Sequence, residues 1–92
     1  MLDLRFTQLA QNLTGFSTRL KLGEKVLIDA FDVPDEMIIE LLRATRERGA
    51  IPYVNLNHAR VSREMALEAT EDQMRTHGAI ELQRMKSMDA YI

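Results

Sequence analysis

The side chains that could do chemistry are few, and their spacing matches no common catalytic pattern. The two histidines, His58 and His77, lie nineteen residues apart, whereas a helical zinc site places its histidines one turn apart, as in His-Glu-x-x-His. Neither histidine is evidently placed to activate Ser17, Ser62 or Ser87 as a nucleophile. We therefore interpret both histidines as surface or interface residues and the serines as poor candidates for a nucleophile.

Two aspartates are the remaining candidates for a ligand site. Asp29 and Asp32 lie at the carboxyl end of the first predicted strand, where open α/β sheets bind ligands. We favour a structural interpretation, in which Asp32 caps the following helix and Asp29 bonds to neighbouring loop amides. Residues 31–34 (Phe-Asp-Val-Pro) stand where a glycine-rich dinucleotide loop would be, and a P-loop is also missing. We therefore predict no catalytic residue, no cofactor-binding residue and no metal ligand in this chain.

The composition argues against several classes of partner. The net charge is −2, and no segment concentrates lysine or arginine without interleaved acids, so neither nucleic acid nor an anionic membrane is expected as the main partner. No apolar run approaches the ~20 residues that cross a bilayer, and the N-terminus does not resemble a signal peptide. The absence of cysteine excludes disulfides and thiolate chemistry, and it fits the cytoplasmic location that we expect.

Three short apolar runs, separated by helical stretches, predict the fold class. The runs are residues 25–31, 51–56 and 89–92, and Gly23 and Gly49 each precede a run by two residues. Strands that alternate with helices form a parallel sheet with crossover helices. The first run is almost continuously apolar, so we expect both of its faces to be covered. The sequence therefore predicts one α/β domain over residues 1–92, with three αβα layers and an additional N-terminal helix.

Pro52 predicts the order of the strands. Proline lacks the amide hydrogen that an interior strand donates, so the second strand is expected at an edge of the sheet. A 3-2-1 order would place that strand in the centre, whereas a 2-1-3 order places it at the edge and the apolar first strand in the centre. We therefore predict the order 2-1-3, with right-handed crossovers that put the second and third helices on opposite faces.

The helices are predicted from apolar spacing and from start and stop signals. Acidic residues around Pro34 open the second helix and Gly49 closes it. A short helix is expected after residue 57, followed by a longer helix that starts with a capping box at residues 70–73 (Thr-Glu-Asp-Gln). Methionines cluster in this last region, as adaptable packing or as a partner surface. The positions at helical spacing are Leu2, Phe6, Leu9, Leu13, Phe16 and Leu20; Met37, Ile38, Leu41, Leu42 and Thr45; and Met74, Gly78, Glu81, Leu82, Met85 and Met88.

Three strands provide a small sheet for a parallel fold, which needs cover on both faces. We therefore expect residues 1–92 to be the first part of a larger protein, with its last strand left without a neighbour at Ile92. Unpaired apolar strand edges recruit other strands. The chain by itself is therefore expected to self-associate, through that edge or through the methionine-bearing helix.

Four segments resemble the metal-dependent aminopeptidases of the aminopeptidase T family. They are Leu-Lys-Leu-Gly-Glu-Lys-Val-Leu-Ile at residues 20–28, Arg-Gly-Ala-Ile-Pro-Tyr-Val at 48–54, Ala-Thr-Glu-Asp-Gln-Met at 69–74, and Met-Lys-Ser-Met-Asp-Ala-Tyr-Ile at 85–92. The resemblance covers nearly the whole chain, in the order found in the family. Each segment alone is a weak motif, and the series of four carries the resemblance.

The resemblance implies an enzyme whose active site lies elsewhere. Family members have an N-terminal α/β domain and a C-terminal domain that holds two divalent metal ions (Zn, Co or Mn) on Glu, His, Asp and Tyr side chains. No position of this chain can inherit one of those ligands. The intact protein would use the metals to polarise a peptide carbonyl and activate water, which releases N-terminal amino acids from peptide substrates. Residues 1–92 would form a wall of the substrate chamber and contribute to a dimer.

Two other interpretations stay open on the sequence. The chain could be a stand-alone α/β interaction module that pairs through a strand edge or the methionine face. It could also be a small-ligand or nucleotide-binding domain that uses the loop after the first strand.

Overall fold

The structure, a computed structural model, describes residues 4–92, without the side chains of residues 16 and 17. The side-chain expectations for Leu2 and Phe16 therefore lie outside the described residues. In chain order the elements are helix α1 (Leu4–Asn12), which continues into a π-helical turn (Leu13–Ser17), strand β1 (Lys25–Phe31), helix α2 (Asp35–Glu47), strand β2 (Ile51–Asn57), helix α3 (Ala59–Leu67), helix α4 (Glu71–Lys86) and strand β3 (Ala90–Tyr91).

The three strands form one parallel sheet in the order β2-β1-β3. This confirms the α/β fold class, the strand order 2-1-3 and the additional N-terminal helix. Alternate residues of β2 bond to β1, beginning with Ile51, whose amide donates to the Glu24 carbonyl at 2.7 Å. Pro52 therefore faces away from β1 on the outer edge, where a missing amide hydrogen costs no ladder bond.

The hydrophobic core lies between one face of the sheet and helices α1 and α2. Val26 and Ile28 of β1 are fully buried there. They pack with Met37 and Leu41 of α2 and with Ala10 of α1. The strand that was predicted to be almost continuously apolar, β1, therefore supplies the centre of the core.

Helix α2 follows its predicted pattern closely. Met37, Ile38, Leu41 and Thr45 are buried as expected, whereas Leu42 is only half-buried. The helix buries two further residues, Glu40 and Ala44. It is followed by Gly49, which has a φ of +75° and so takes the left-handed conformation predicted for a closing glycine.

Helix α1 departs from its predicted apolar stripe. Phe6 and Leu13 pack against the core and Leu20 is buried, but Leu9 is about half exposed, so its assignment to the core was wrong. Ala10 is buried in its place. The straight helix stops at Asn12 and a π-helical turn follows, which changes the rotation of successive side chains and breaks the regular three-and-four spacing.

The second face of the sheet is less covered than the first. Leu27 is buried on this side, but Phe31, Ile51, Tyr53 and Tyr91 stay about half exposed. The end of α4 reaches this side, because the Tyr91 hydroxyl donates to the carbonyl of Met85. Helices α2 and α4 therefore contact opposite sides of the sheet, as the crossovers predict, although α4 does so at its C-terminal end.

Helices α3 and α4 extend from the rest of the fold and bury no residue. The radius of gyration is 15.1 Å, compared with roughly 12 Å expected for a compact chain of this length. The predicted break between the two helices is present, and the hydroxyl of Thr70 accepts a hydrogen bond from the Gln73 amide at 3.1 Å, which confirms the threonine cap. Among the described residues, no helix is both long and apolar enough to cross a membrane.

Candidate functional site at the carboxyl ends of the strands

Asp29 lies on the second face of the sheet and is held by two side chains of β2. One of its oxygens accepts hydrogen bonds from the side-chain amides of Asn55 at 3.2 Å and Asn57 at 2.7 Å. The parallel register places Asp29 beside Asn55, and Asn57 two residues further along the same face. The expectation that Asp29 bonds to loop amides was therefore wrong. Its partners are instead the side-chain amides of the neighbouring strand, which the register places beside its carboxylate.

Asp32 follows β1 and has a φ of +53°, in the left-handed region that aspartate tolerates better than most residues. Its amide donates to the Asn57 carbonyl at 3.0 Å. Its carboxylate accepts a hydrogen bond from the Ala59 amide at 3.2 Å, at the first turn of α3, and lies 3.5 Å from Nδ1 of His58. Asp32 therefore joins the loop after β1 to the loop after β2.

The prediction that Asp32 caps the second helix was wrong. The residue at the start of α2 is Pro34, and no side chain caps that end. Asp35 and Glu36 instead place two carboxylates in the first turn, where the helix dipole favours negative charge. Asp32 is turned toward α3 by its left-handed backbone and by its amide bond to β2, so it caps a helix that is remote in sequence.

A shallow groove runs from Asp32 along one side of α3. The open shape of the groove and its mixed charges determine which ligands it could bind. Its arginines could bind a carboxylate or a phosphate, but His58 and Asp32 are more than half exposed, and enclosed small-molecule sites cover most of their ligand. The groove therefore suits a solvated polar contact better than chemistry that must exclude water. The residues that line it are Asp32, His58, Arg60, Val61, Arg63, Glu64 and Leu67.

The other sequence candidates with described side chains are not brought together with this groove, and the side chain of Ser17 lies outside the described part of the chain. His77 lies exposed on α4, and the hydroxyl of Ser87 donates to the Gln83 carbonyl at 2.9 Å, at the end of the same helix. Ser62 is exposed on α3. Within residues 4–92, no three His, Asp or Glu side chains are arranged to hold a metal ion. In the described part of the chain, Asp29, Asp32 and His58 thus lie in a polar cluster at the strand ends, which His77, Ser62 and Ser87 do not join.

Sequence reasoning found the two aspartates but missed their partners. Asn55, Asn57 and the Ala59 amide are the groups that hold them. A parallel register aligned on the two apolar runs would have placed Asp29 beside Asn55. The turn of the Asp32 carboxylate toward α3 has no comparable local signal, since it depends on how the two loops meet.

Comparison with known protein sequences assigns no family to this chain. No protein-family model matches the chain, and no curated protein sequence matches it.

Proposed function

We propose that this chain is a scaffold domain of a metal-dependent aminopeptidase and supplies no catalytic residue of its own. The proposal rests on the resemblance of residues 20–28, 48–54, 69–74 and 85–92 to the aminopeptidase T family. The 2-1-3 parallel sheet is compatible with it. In this proposal the substrates are peptides, the protein is cytoplasmic, and two divalent metal ions (Zn, Co or Mn) are held by a different domain.

The observation that supports a scaffold role best is the uncovered surface. Helices α3 and α4 are nine and 16 residues long and bury no side chain, and the second face of the sheet leaves Phe31 and Tyr53 about half exposed. Layered α/β folds bury both faces of the sheet. A further polypeptide surface, such as that of a second domain, would complete the second layer.

The test compares the intact reading frame with residues 1–92 alone. Both are assayed with aminoacyl-p-nitroanilides in cobalt, manganese and zinc. We expect hydrolysis by the intact protein that a chelator removes, and none by residues 1–92. Chelator-sensitive hydrolysis that co-purifies with residues 1–92 would contradict the scaffold role, and an intact protein without metal-dependent peptidase activity would contradict the aminopeptidase assignment.

A second candidate function is self-association as an α/β interaction module. The exposed apolar side chains of α3 and α4 favour it, because contiguous exposed apolar surface marks interaction sites. They are Val61, Met65, Leu67, Met74, Ile80, Leu82 and Met85. Sedimentation velocity on the 92-residue chain, from tens to several hundred micromolar, tests this function, and a monomer throughout that range would exclude it.

A further inference from the structure

Helix α4 carries an exposed apolar stripe centred on a glycine. Successive residues of an α-helix turn by roughly 100°, so Met74, Gly78, Leu82 and Met85 fall on one face. Met74, Leu82 and Met85 are each at least half exposed. We call these four residues the α4 stripe.

The α4 stripe lies beside the side of the helix that is turned inward. That side holds the half-buried residues Glu81 and Arg84. Glu81 borders the stripe, one turn before Met85, and Arg84 lies roughly a third of a turn from Gly78 around the helix. Because Met74, Leu82 and Met85 are nevertheless at least half exposed, the stripe can meet another molecule.

We propose that the α4 stripe pairs with the same stripe of a second copy, with the two helices antiparallel and a two-fold axis at Gly78. This rests on the second proposed function, self-association, and assigns it to one surface. Met74 lies four residues before Gly78 and Leu82 four residues after it, so the axis sets Met74 of one copy against Leu82 of the other. The same face thus contacts itself, as a two-fold interface requires.

Charge favours this arrangement over a parallel one. Glu71 lies seven residues before Gly78 and Lys86 eight residues after it, so an antiparallel pair brings Glu71 of one copy close to Lys86 of the other. A parallel pair would place like charges side by side. Glu71 contacts Arg75 at 3.7 Å, but both side chains are largely exposed, and such a contact competes weakly.

Gly78 adds an argument from packing. Glycine is unfavourable inside a helix, and a Cβ at this position would meet no other atom of the chain within 4 Å. Nothing in the described fold therefore requires a glycine there. A small residue at the crossing point lets a second helix approach more closely, and Gly78 lies at the middle of α4 (Glu71–Lys86).

The expected dimer is weak. A helix of 16 residues is about 24 Å long, and one helix pair buries less than the roughly 1,200–2,000 Å² of a standard stable interface. We therefore expect a monomer–dimer equilibrium at micromolar concentrations rather than a permanent dimer.

The first test places a charge on the axis. Sedimentation velocity on the 92-residue chain, from a few to several hundred micromolar, measures the dissociation constant. We expect Gly78→Lys to raise it by at least about tenfold, since two like charges meet at the axis. The open space around Gly78 and the better helix propensity of lysine keep the monomer folded, which circular dichroism checks.

The matched control and the rescue use the same helix. Gln83→Lys adds the same charge on a different face and should leave the dissociation constant within about twofold. Glu71→Lys and Lys86→Glu should each weaken the dimer, and the double variant should restore it because the opposite charges meet again.

The outcomes separate this surface from self-association in general. A wild-type chain that stays monomeric throughout overturns both. A wild-type dimer that Gly78→Lys does not weaken overturns the α4 stripe and leaves self-association in place. A double variant that stays as weak as its parents overturns the antiparallel register.

Discussion

The Asp32 carboxylate accepts a hydrogen bond from the Ala59 amide at 3.2 Å, so a residue that follows β1 caps the helix that follows β2. The amide of Asp32 also extends the ladder by donating to the Asn57 carbonyl at 3.0 Å. Asp32 thus makes the last backbone hydrogen bond between two neighbouring strands and also caps α3. The start of α3 is thereby tied to the sheet, although the helix buries no residue.

Removal of this cap should loosen α3 selectively. Asp32→Ala loses the acceptor for the Ala59 amide and leaves a left-handed residue without its polar side chain. We expect a loss of about 1 kcal/mol, the usual value of a helix cap, with faster hydrogen exchange at Ala59. Asp32→Asn is the control, because asparagine keeps an acceptor oxygen and tolerates a positive φ. Equal exchange rates in the two variants would contradict the capping role.

Ile28 should be among the most costly positions to truncate. It is 1% exposed at the centre of the sheet, and Ile28→Ala leaves a cavity, so chemical denaturation should show a loss of ~2–5 kcal/mol. Leu56→Ala on the neighbouring strand is the control. Leu56 is 61% exposed, so its truncation should cost less than ~1 kcal/mol. A loss under ~1 kcal/mol at Ile28 would mean that the site is not a packed core.

Two linked glycines allow a conformational cost to be separated from a steric one. Gly23 and Gly49 have φ values of +81° and +75°, and the Gly23 amide donates to the Gly49 carbonyl at 2.9 Å. A Cβ on Gly49 would clash with Cδ1 of Leu22, whereas a Cβ on Gly23 meets nothing within 4 Å.

Alanine at either glycine should cost ~1–2 kcal/mol, the penalty of a left-handed L-residue. The two losses should be similar, because the Leu22 side chain is largely exposed and can rotate away from a new Cβ. Thermal or urea unfolding of both variants measures this. A much larger loss for Gly49→Ala that Leu22→Ala relieves would show that Leu22 is held in place.

Replacement of the edge proline should have little effect on stability. Pro52 faces away from β1, so Pro52→Ala removes no ladder bond and should change the free energy of unfolding by less than ~1 kcal/mol. The adjacent variant is the contrast. In the same alternation, the backbone amide of Tyr53 is directed toward β1. Tyr53→Pro removes this donor to the buried β1 strand, so it should lower the free energy of unfolding by at least ~1–3 kcal/mol. Similar losses for both variants would contradict the assigned edge.

Local residue chemistry determined the elements and their order. β1 lies at residues 25–31 as predicted, because a short and almost continuously apolar run that follows a glycine is typical of a strand covered by other layers. Pro52 determined the edge, since the missing amide hydrogen is a property of the residue itself. Gly49 ends α2 because glycine can take a positive φ, and Thr70 begins α4 because its hydroxyl caps the helix. Both effects act within a few residues of the chain.

Tertiary structure determined the hydrogen-bond partners of the polar residues and which residues of the apolar stripes are buried. Asp32 caps α3 rather than α2, and Asp29 bonds to Asn55 and Asn57, because the parallel register brings those groups together across more than 20 residues of chain. Leu9 is exposed and Ala10 is buried, because the face of α1 that contains Ala10 is the one packed against the core. Helical spacing alone states which side chains share a face, whereas burial depends on what packs against that face, and only the assembled sheet and helices determine this.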